Sequence, residues 1–323
     1  MDKEERLQIK TAKKDEMNKK RIWELDFLRA IIIVGMLIDH LFVDFADSFP
    51  VLFNRDLYLA NPVILNIYNF GYDYWYSPVR IFIRFIGLFF LTVLIGISTQ
   101  LSKNNLKRSL IFIIVGLAID GVFAAAHYIA NSQFTFMNVV LCYGLCLLIY
   151  TAIHALFGRF SKIWKWICLG IGVAILVMWG FVRYSLLKEN FDPIYNNFWL
   201  IFNNEARVIP KINDISEFTF GSFMEMVIGL RRIGSDWLGL FPFLGYIFIG
   251  AFIGQTLYKD KLSFLHYFDK EGEMTLNEKF NIKTRHFLFI GRHSIWFYFL
   301  HQPVYFLLAL LIIGAIIGIP LSF

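Results

Sequence analysis

From Trp23 to Asp47 the chain reads WELDFLRAIIIVGMLIDHLFVDFAD, an apolar run that nevertheless carries Asp26, Arg29, Asp39, His40 and Asp44. About 20 apolar residues suffice to cross a bilayer as a helix, so this stretch is long enough to span. An ionisable side chain in hydrocarbon costs a few kcal/mol at least and is kept where it faces a protein interior or a watery cavity. The run is therefore more than an anchor. His40 and Asp44 stand four residues apart and share one helix face, a spacing that lets a carboxylate hold an imidazole in one tautomer.

The rest of the chain extends this pattern. Of 323 residues 57% are hydrophobic and only 17% charged, which excludes an ordinary soluble domain and indicates an all-α, polytopic membrane helix bundle. The first 21 residues are polar and lack an apolar core segment or cleavage site, so they read as a charged cytoplasmic tail with the first helix as insertion signal. The net charge of +6 does not point to nucleic acid, because the basic residues sit in short loops beside apolar runs. Cys142, Cys146 and Cys168 all fall in apolar segments and read as inert thiols.

Hydropathy predicts about seven spans in one membrane domain, residues 22–323. They are Trp23 to Phe45, Val79 to Leu101, Ser109 to His127, Thr135 to Leu156, Trp164 to Leu186, Trp237 to Leu257, and a long last helix from Phe287 to Ile319 that Pro303 is expected to interrupt. The segment 47–78 reads as an aromatic interfacial loop. The polar outer excursion 187–235 contains two short apolar pieces, YNNFWLIF and SFMEMVIGL. Gly245, Gly250 and Gly254 are expected to allow close helix packing in the sixth span. The tail and the loops near Lys103, Lys162 and Lys270 hold eight, three, three and six Lys or Arg, 20 of the 31 in the chain. By the positive-inside rule the N-terminus is then cytoplasmic.

At about 1.5 Å of rise per residue, His40 and His301 both come out roughly 20–25 Å from the cytoplasmic ends of their helices. His127 closes the third span on the same outer side. His40 is the candidate general base and Asp44 its orienter, with His301 a second polar group at equal depth beside Gln302. Arg80 and Arg84 lie on one face of the second span and are candidates for substrate contact or for pairing with Asp44 or Asp73. Arg29, Arg292 and His293 stand at the opposite level with Lys103, Lys107 and Arg108. There they suit either the phosphates of a cofactor or anionic lipid headgroups. No metal site is expected, because His40 and Asp44 have no third ligand at suitable spacing.

The string LDFLRAIIIVGMLIDHLFVDF resembles the first membrane helix of bacterial proteins related to heparan-α-glucosaminide N-acetyltransferase. Asp26, Arg29, Met36, His40 and Asp44 match the pattern, and Ala30 replaces its usual glycine. FFLTVLIGIS, SDWLGLFPFLGYIFIGAFIG and GRHSIWFYFLHQP match further blocks in the same order. Family-three membrane acyltransferases, with a related first helix and ending, are the near rival. The resemblance implies a membrane acyltransferase that takes acetyl-CoA from the cytoplasm and passes the acetyl group to an outward-facing hydroxyl or amine. It also implies a bacterial plasma-membrane location, an envelope glycan acceptor and contact with membrane lipid, with homo-oligomerisation left open. The lysosomal enzyme keeps an active-site histidine in the loop beyond the first helix. Residues 47–78 contain no histidine here, which favours direct transfer with His40 as base. The alternative is a proton-coupled transporter or solute-binding membrane protein using the same His and Asp groups, and a non-catalytic scaffold is a third.

Overall fold

The structure is a computed structural model that describes residues 21–130, 136–187, 219–232, 237–270 and 273–318. Among them every regular element is helical, as the hydropathy predicts. Five helices are long and apolar enough to cross a membrane: Pro78–Leu101, Asn105–Ala125, Val139–Phe157, Lys162–Ser185 and Ser294–Ile317. Most of the tail, the piece YNNFWLIF and the side chain of His127 lie outside the described residues.

The chain divides into two compact units, one drawn from the described parts of Met1–Gly87 and Leu262–Phe323, the other from Leu88–Lys261. The first unit is built on α1 (Trp23–Ala46), 24 residues long and the most heavily charged of the long apolar helices. After it come α2 (Ser48–Leu52), α3 (Arg55–Ala60) and α4 (Pro62–Tyr76), so the expected interfacial loop is helical. The local cause is legible in α4: the Asn61 side chain accepts from the amides of Val63 and Ile64, and Pro62 opens the helix. Phe49, Tyr58 and Ile64 from these short helices and Phe53 between two of them form a buried cluster with Ala309 and Ile313.

The expected break at Pro303 is not found. The last segment is divided instead at His293, between α12 (Arg285–Arg292) and α13 (Ser294–Ile317), and α13 runs through the proline. Gly291 of α12 abuts the backbone of Asp26 and Ala30 in α1, an approach that a side chain there would prevent. A 3₁₀ turn (Phe264–Phe268) and α11 (Leu276–Lys283) hold the start of α1. Glu24 accepts from the Ser263 hydroxyl and the Phe264 amide, and the Trp23 indole donates to Thr284 Oγ1 at 2.7 Å.

The second unit holds most of α5 (Pro78–Leu101), with α6 (Asn105–Ala130), α7 (Val139–Phe157), α8 (Ser161–Leu187), α9 (Phe220–Ile228) and α10 (Phe243–Leu257). The expected sixth span from Trp237 begins as helix only at Phe243. Leu238, Leu240 and Phe241 first donate backbone bonds to Met137, Val227 and Ile228. The piece SFMEMVIGL largely forms α9, opened by a capping box at Thr219 and closed by Gly229 with φ +118°. Buried Asp120 is structural: it accepts from the amides of Met137 and Asn138 and from the Asn138 side chain, which in turn caps α7. All three cysteines are free and buried.

Gly250 of α10 lies against Val93 and Gly96 of α5, with a Cβ at Gly250 falling 2.9 Å from Gly96 Cα. Two backbones meet here with no side chain between them, the close packing expected of this glycine row. Gly250→Ala is expected to cost about 1–3 kcal/mol through overpacking, read as a lower melting temperature in lipid. Gly35→Ala, with nothing within 4 Å of the added methyl, is the control expected to hold or slightly raise it.

Candidate active site

The first unit places its ionisable groups at two levels of α1. At the first level Asp26, whose side chain is 4% exposed, receives three guanidinium groups. Arg29 reaches it from the next turn at 3.0 Å, and Arg21 and Arg292 each lie 3.3 Å away. Arg292 also donates to Asn281 Oδ1 at 2.6 Å, so α1, α11 and α12 are joined through one carboxylate. Three guanidinium groups thus meet on one carboxylate among the described residues. The side chains of Arg29 and Arg292 remain 24% and 12% exposed.

Fourteen residues beyond Asp26, roughly 21 Å up the helix, stands the second level. His40 Nδ1 lies 3.0 Å from His301 Nε2, and their rings meet edge to face with centroids 4.8 Å apart. The equal depth worked out from residue counts is realised as direct contact. Tautomers follow from the partners. His301 Nδ1 lies 2.6 Å from the Tyr298 carbonyl, which only accepts, so this nitrogen carries a proton. In the neutral ring Nε2 is then the acceptor, and His40 Nδ1 must donate to it. His40 Nε2 is left holding the lone pair, with no hydrogen bond among the described residues. Gln302 puts its terminal amide 3.3 Å from His40 Nδ1; with the amide turned so that its oxygen faces the ring, it shares that proton.

Pro303 deprives the Phe299 carbonyl of its i+4 donor; the carbonyl that the His301 ring meets is the neighbouring one, of Tyr298. The Tyr305 hydroxyl donates to the Leu37 carbonyl at 2.9 Å and ties α13 to α1 beside the pair.

Asp44 does not orient His40 as the i,i+4 spacing suggested. Its Oδ1 accepts from the Ser48 hydroxyl at 2.7 Å, while Oδ2 is buried without a hydrogen-bond partner. The continuation of the chain into α2 offers Asp44 a hydroxyl on its own side, and the imidazole turns to α13. Arg80 pairs with neither Asp44 nor Asp73. It grips Asp39 with both ends, Nε to Oδ1 at 2.7 Å and Nη2 to Oδ2 at 3.0 Å, under the faces of Tyr74 and Trp75. The Tyr74 hydroxyl also donates to Asp39 Oδ1 at 3.0 Å. Arg84 is half-buried one turn further on and contributes charge near Asp39 and His40. Asp39 was visible in the sequence but had no assigned role. Its place next to His40 and opposite a second-span arginine was the available signal.

A bundle of apolar helices with a histidine pair and an arginine cluster on one charged helix has the parts of a membrane group-transfer enzyme. Residues 62–303, more than half of the chain, match the catalytic domain of heparan-alpha-glucosaminide N-acetyltransferase, and the chain belongs to that family of membrane acetyltransferases. The match includes His301, Gln302, Arg80, Arg84 and Arg292, and begins after the helix that carries Arg29, His40 and Asp44. Among curated proteins and among solved structures no significant match is found. No group of three or more potential metal ligands occurs among the described residues.

Asp39→Ala would leave the Arg80 guanidinium buried without its carboxylate. The expected loss is about 3 kcal/mol of stability, against a smaller loss for the double change Asp39→Ala with Arg80→Leu, measured by thermal unfolding in lipid. Equal losses would mean that the ion pair does not carry the stability of this level.

Proposed function

We propose that the protein moves an acetyl group from acetyl-CoA, entering from the cytoplasm, to a hydroxyl or amine of a sugar in the envelope outside a bacterial plasma membrane. The observation that carries this reading is the free lone pair of His40 Nε2, backed by a proton-accepting partner at Nδ1. A nucleophile needs its proton removed as it attacks, and a neutral imidazole within an apolar bundle is suited to take it. As Nε2 gains the acceptor's proton, the Nδ1 proton is drawn toward His301 Nε2. The positive charge then spreads over two rings, with the Tyr298 carbonyl stabilising the far end. The acceptor oxygen or nitrogen forms its bond to the thioester carbon, the carbon–sulfur bond breaks, and the departing thiolate takes back the proton.

The Arg29 and Arg292 cluster suits the donor's phosphates, since guanidinium groups bind phosphate oxygens in pairs. Its spacing from His40 along α1 is one that an extended pantetheine arm covers. On the acceptor side, Gln302, Arg80 and Arg84 surround the histidine level, and the unpaired Asp44 Oδ2 is an acceptor for a sugar hydroxyl. Count of loop cations supports the cytoplasmic placing of the N-terminus. The same two imidazoles would also serve proton-coupled transport, because a ring pair that passes a proton does so with or without an acyl donor.

The deciding experiment follows labelled acetyl-CoA with the full chain in lipid and an envelope glycan extract. Turnover is expected in the wild type, with a fall of about 10²-fold or more for His40→Ala as for loss of a general base. Proton flux coupled to a solute, with no acetyl transfer, would replace this reading by transport. Arg292→Ala is expected to raise KM for acetyl-CoA about tenfold with kcat nearly unchanged, the result of losing charge-assisted hydrogen bonds to a part of the substrate that does not react.

A further inference from the structure

The second unit buries a charge that the acyl-transfer reading does not use. Arg183 lies in α8, roughly 30 Å along the helix from Lys162 at its start, and is only 1% exposed. Nothing among the described residues accepts a hydrogen bond from its Nε or its Nη2, and none of their carboxylates pairs with it. An ionised guanidinium taken out of water without an opposite charge is costly, and arginines inside membrane helices are kept where they meet a partner. The ring of Trp179, one turn earlier, lies 5.8 Å from Arg183 Cζ and offsets only part of that cost.

The identity of the two nitrogens defines the partner that fits. Nε–H and Nη2–H leave the guanidinium plane from one edge, the edge with which Arg80 grips both oxygens of Asp39 at 2.7 and 3.0 Å. Such a fork matches two oxygens of a carboxylate or phosphate. A water accepts from the same edge but leaves the charge uncompensated.

The fork also rests on a fixed platform. Trp179 is 2% exposed and its ring stacks on Phe241 with centroids 5.9 Å apart. A Cβ at Gly229 would fall 3.1 Å from Trp179 Cη2, so the end of α9 and the approach to α10 hold the indole from two sides. The Trp179 N–H is buried and likewise has no acceptor among the described residues. The unmatched atoms of this turn of α8 are thus all donors, and a platform held in advance lowers the ordering cost of binding.

We propose that the Nε–Nη2 edge of Arg183 binds an oxyanion from outside the chain, two of its oxygens on the fork and the guanidinium on the Trp179 ring. Two sources share that chemistry, the headgroup phosphate of an anionic phospholipid and a small free anion. The site belongs to the second unit and is read out by binding, so it stands or falls apart from acetyl transfer.

The test uses the full chain in nanodiscs in low-salt buffer. In neutral phosphatidylcholine discs, thermal unfolding is followed as inorganic phosphate is added. In discs containing phosphatidylglycerol, retained lipid is counted by native mass spectrometry. Arg183→Met removes the charge at similar volume, and Arg183→Lys keeps the charge but not the fork. Arg231→Ala, an arginine of the same unit that pairs with Glu225 at 2.9 Å, is the control.

We expect one probe to bind the wild type and the control alike, phosphate by raising the melting temperature or phosphatidylglycerol by being retained. Arg183→Met is expected to lose that response, and Arg183→Lys to bind about tenfold more weakly, if Arg183→Met folds or not. A response to phosphate identifies a free anion; retention of phosphatidylglycerol alone identifies a headgroup. The proposal is overturned if neither probe binds, if Arg183→Met responds as the wild type does, or if Arg183→Lys binds as tightly as arginine.

Discussion

An ionisable group on a helix in hydrocarbon has to be met by a partner from another helix, and α1 meets that demand at three points. Asp26 draws in Arg292 of α12, Asp39 draws in Arg80 of α5, and His40 meets His301 of α13. Each contact fixes both the depth and the rotation of the helix it recruits, because a slip of one turn would leave a charge unpaired at a cost of several kcal/mol. Apolar contacts alone give no such register. The close approach at Gly291 then brings α12 near enough to α1 for Arg292 to reach Asp26.

The same requirement separates groups that hold the fold from groups left over for chemistry. Asp39 and Arg80 satisfy each other through two hydrogen bonds, with Tyr74 a third partner, so their charge is spent on structure. Asp120 is likewise consumed by Asn138 and the backbone that follows. At Asp26 three guanidinium groups meet one carboxylate, and at His40 the Nε2 lone pair has no hydrogen bond among the described residues. Those two places lie on one helix of one unit. Such a separation suits the acyl transfer with a long phosphorylated donor proposed above.

Much of this was legible in the sequence. The alternation of apolar runs with basic loops identified a polytopic helical bundle, and counting residues from the cytoplasmic ends put His40 and His301 at one depth. Both follow from the constant rise of a helix and the high cost of charge in lipid, which hold whatever the helices pack against. The family resemblance also rested on local strings, and the match over residues 62–303 agrees with it. The helical nature of 47–78 was less visible, because its aromatic and asparagine-rich composition suits an interface as well as short capped helices.

What the sequence could not decide was which of several permitted partners each polar group would take. The i,i+4 spacing allowed Asp44 to hold His40, yet rotation of α1 against α13 gave the imidazole to His301, and α2 gave Asp44 to Ser48. Arg80 could have met Asp44 or Asp73, and the angle of α5 gave it Asp39. Pro303 could have ended its helix, but the main-chain break came at His293 and α13 runs through the proline. By itself the sequence determined the helices, their membrane character and the depth of their charges, since rise and hydropathy are properties of a single segment. Only the tertiary structure decided the pairings, since helix rotation and crossing depend on contacts between segments far apart in the chain.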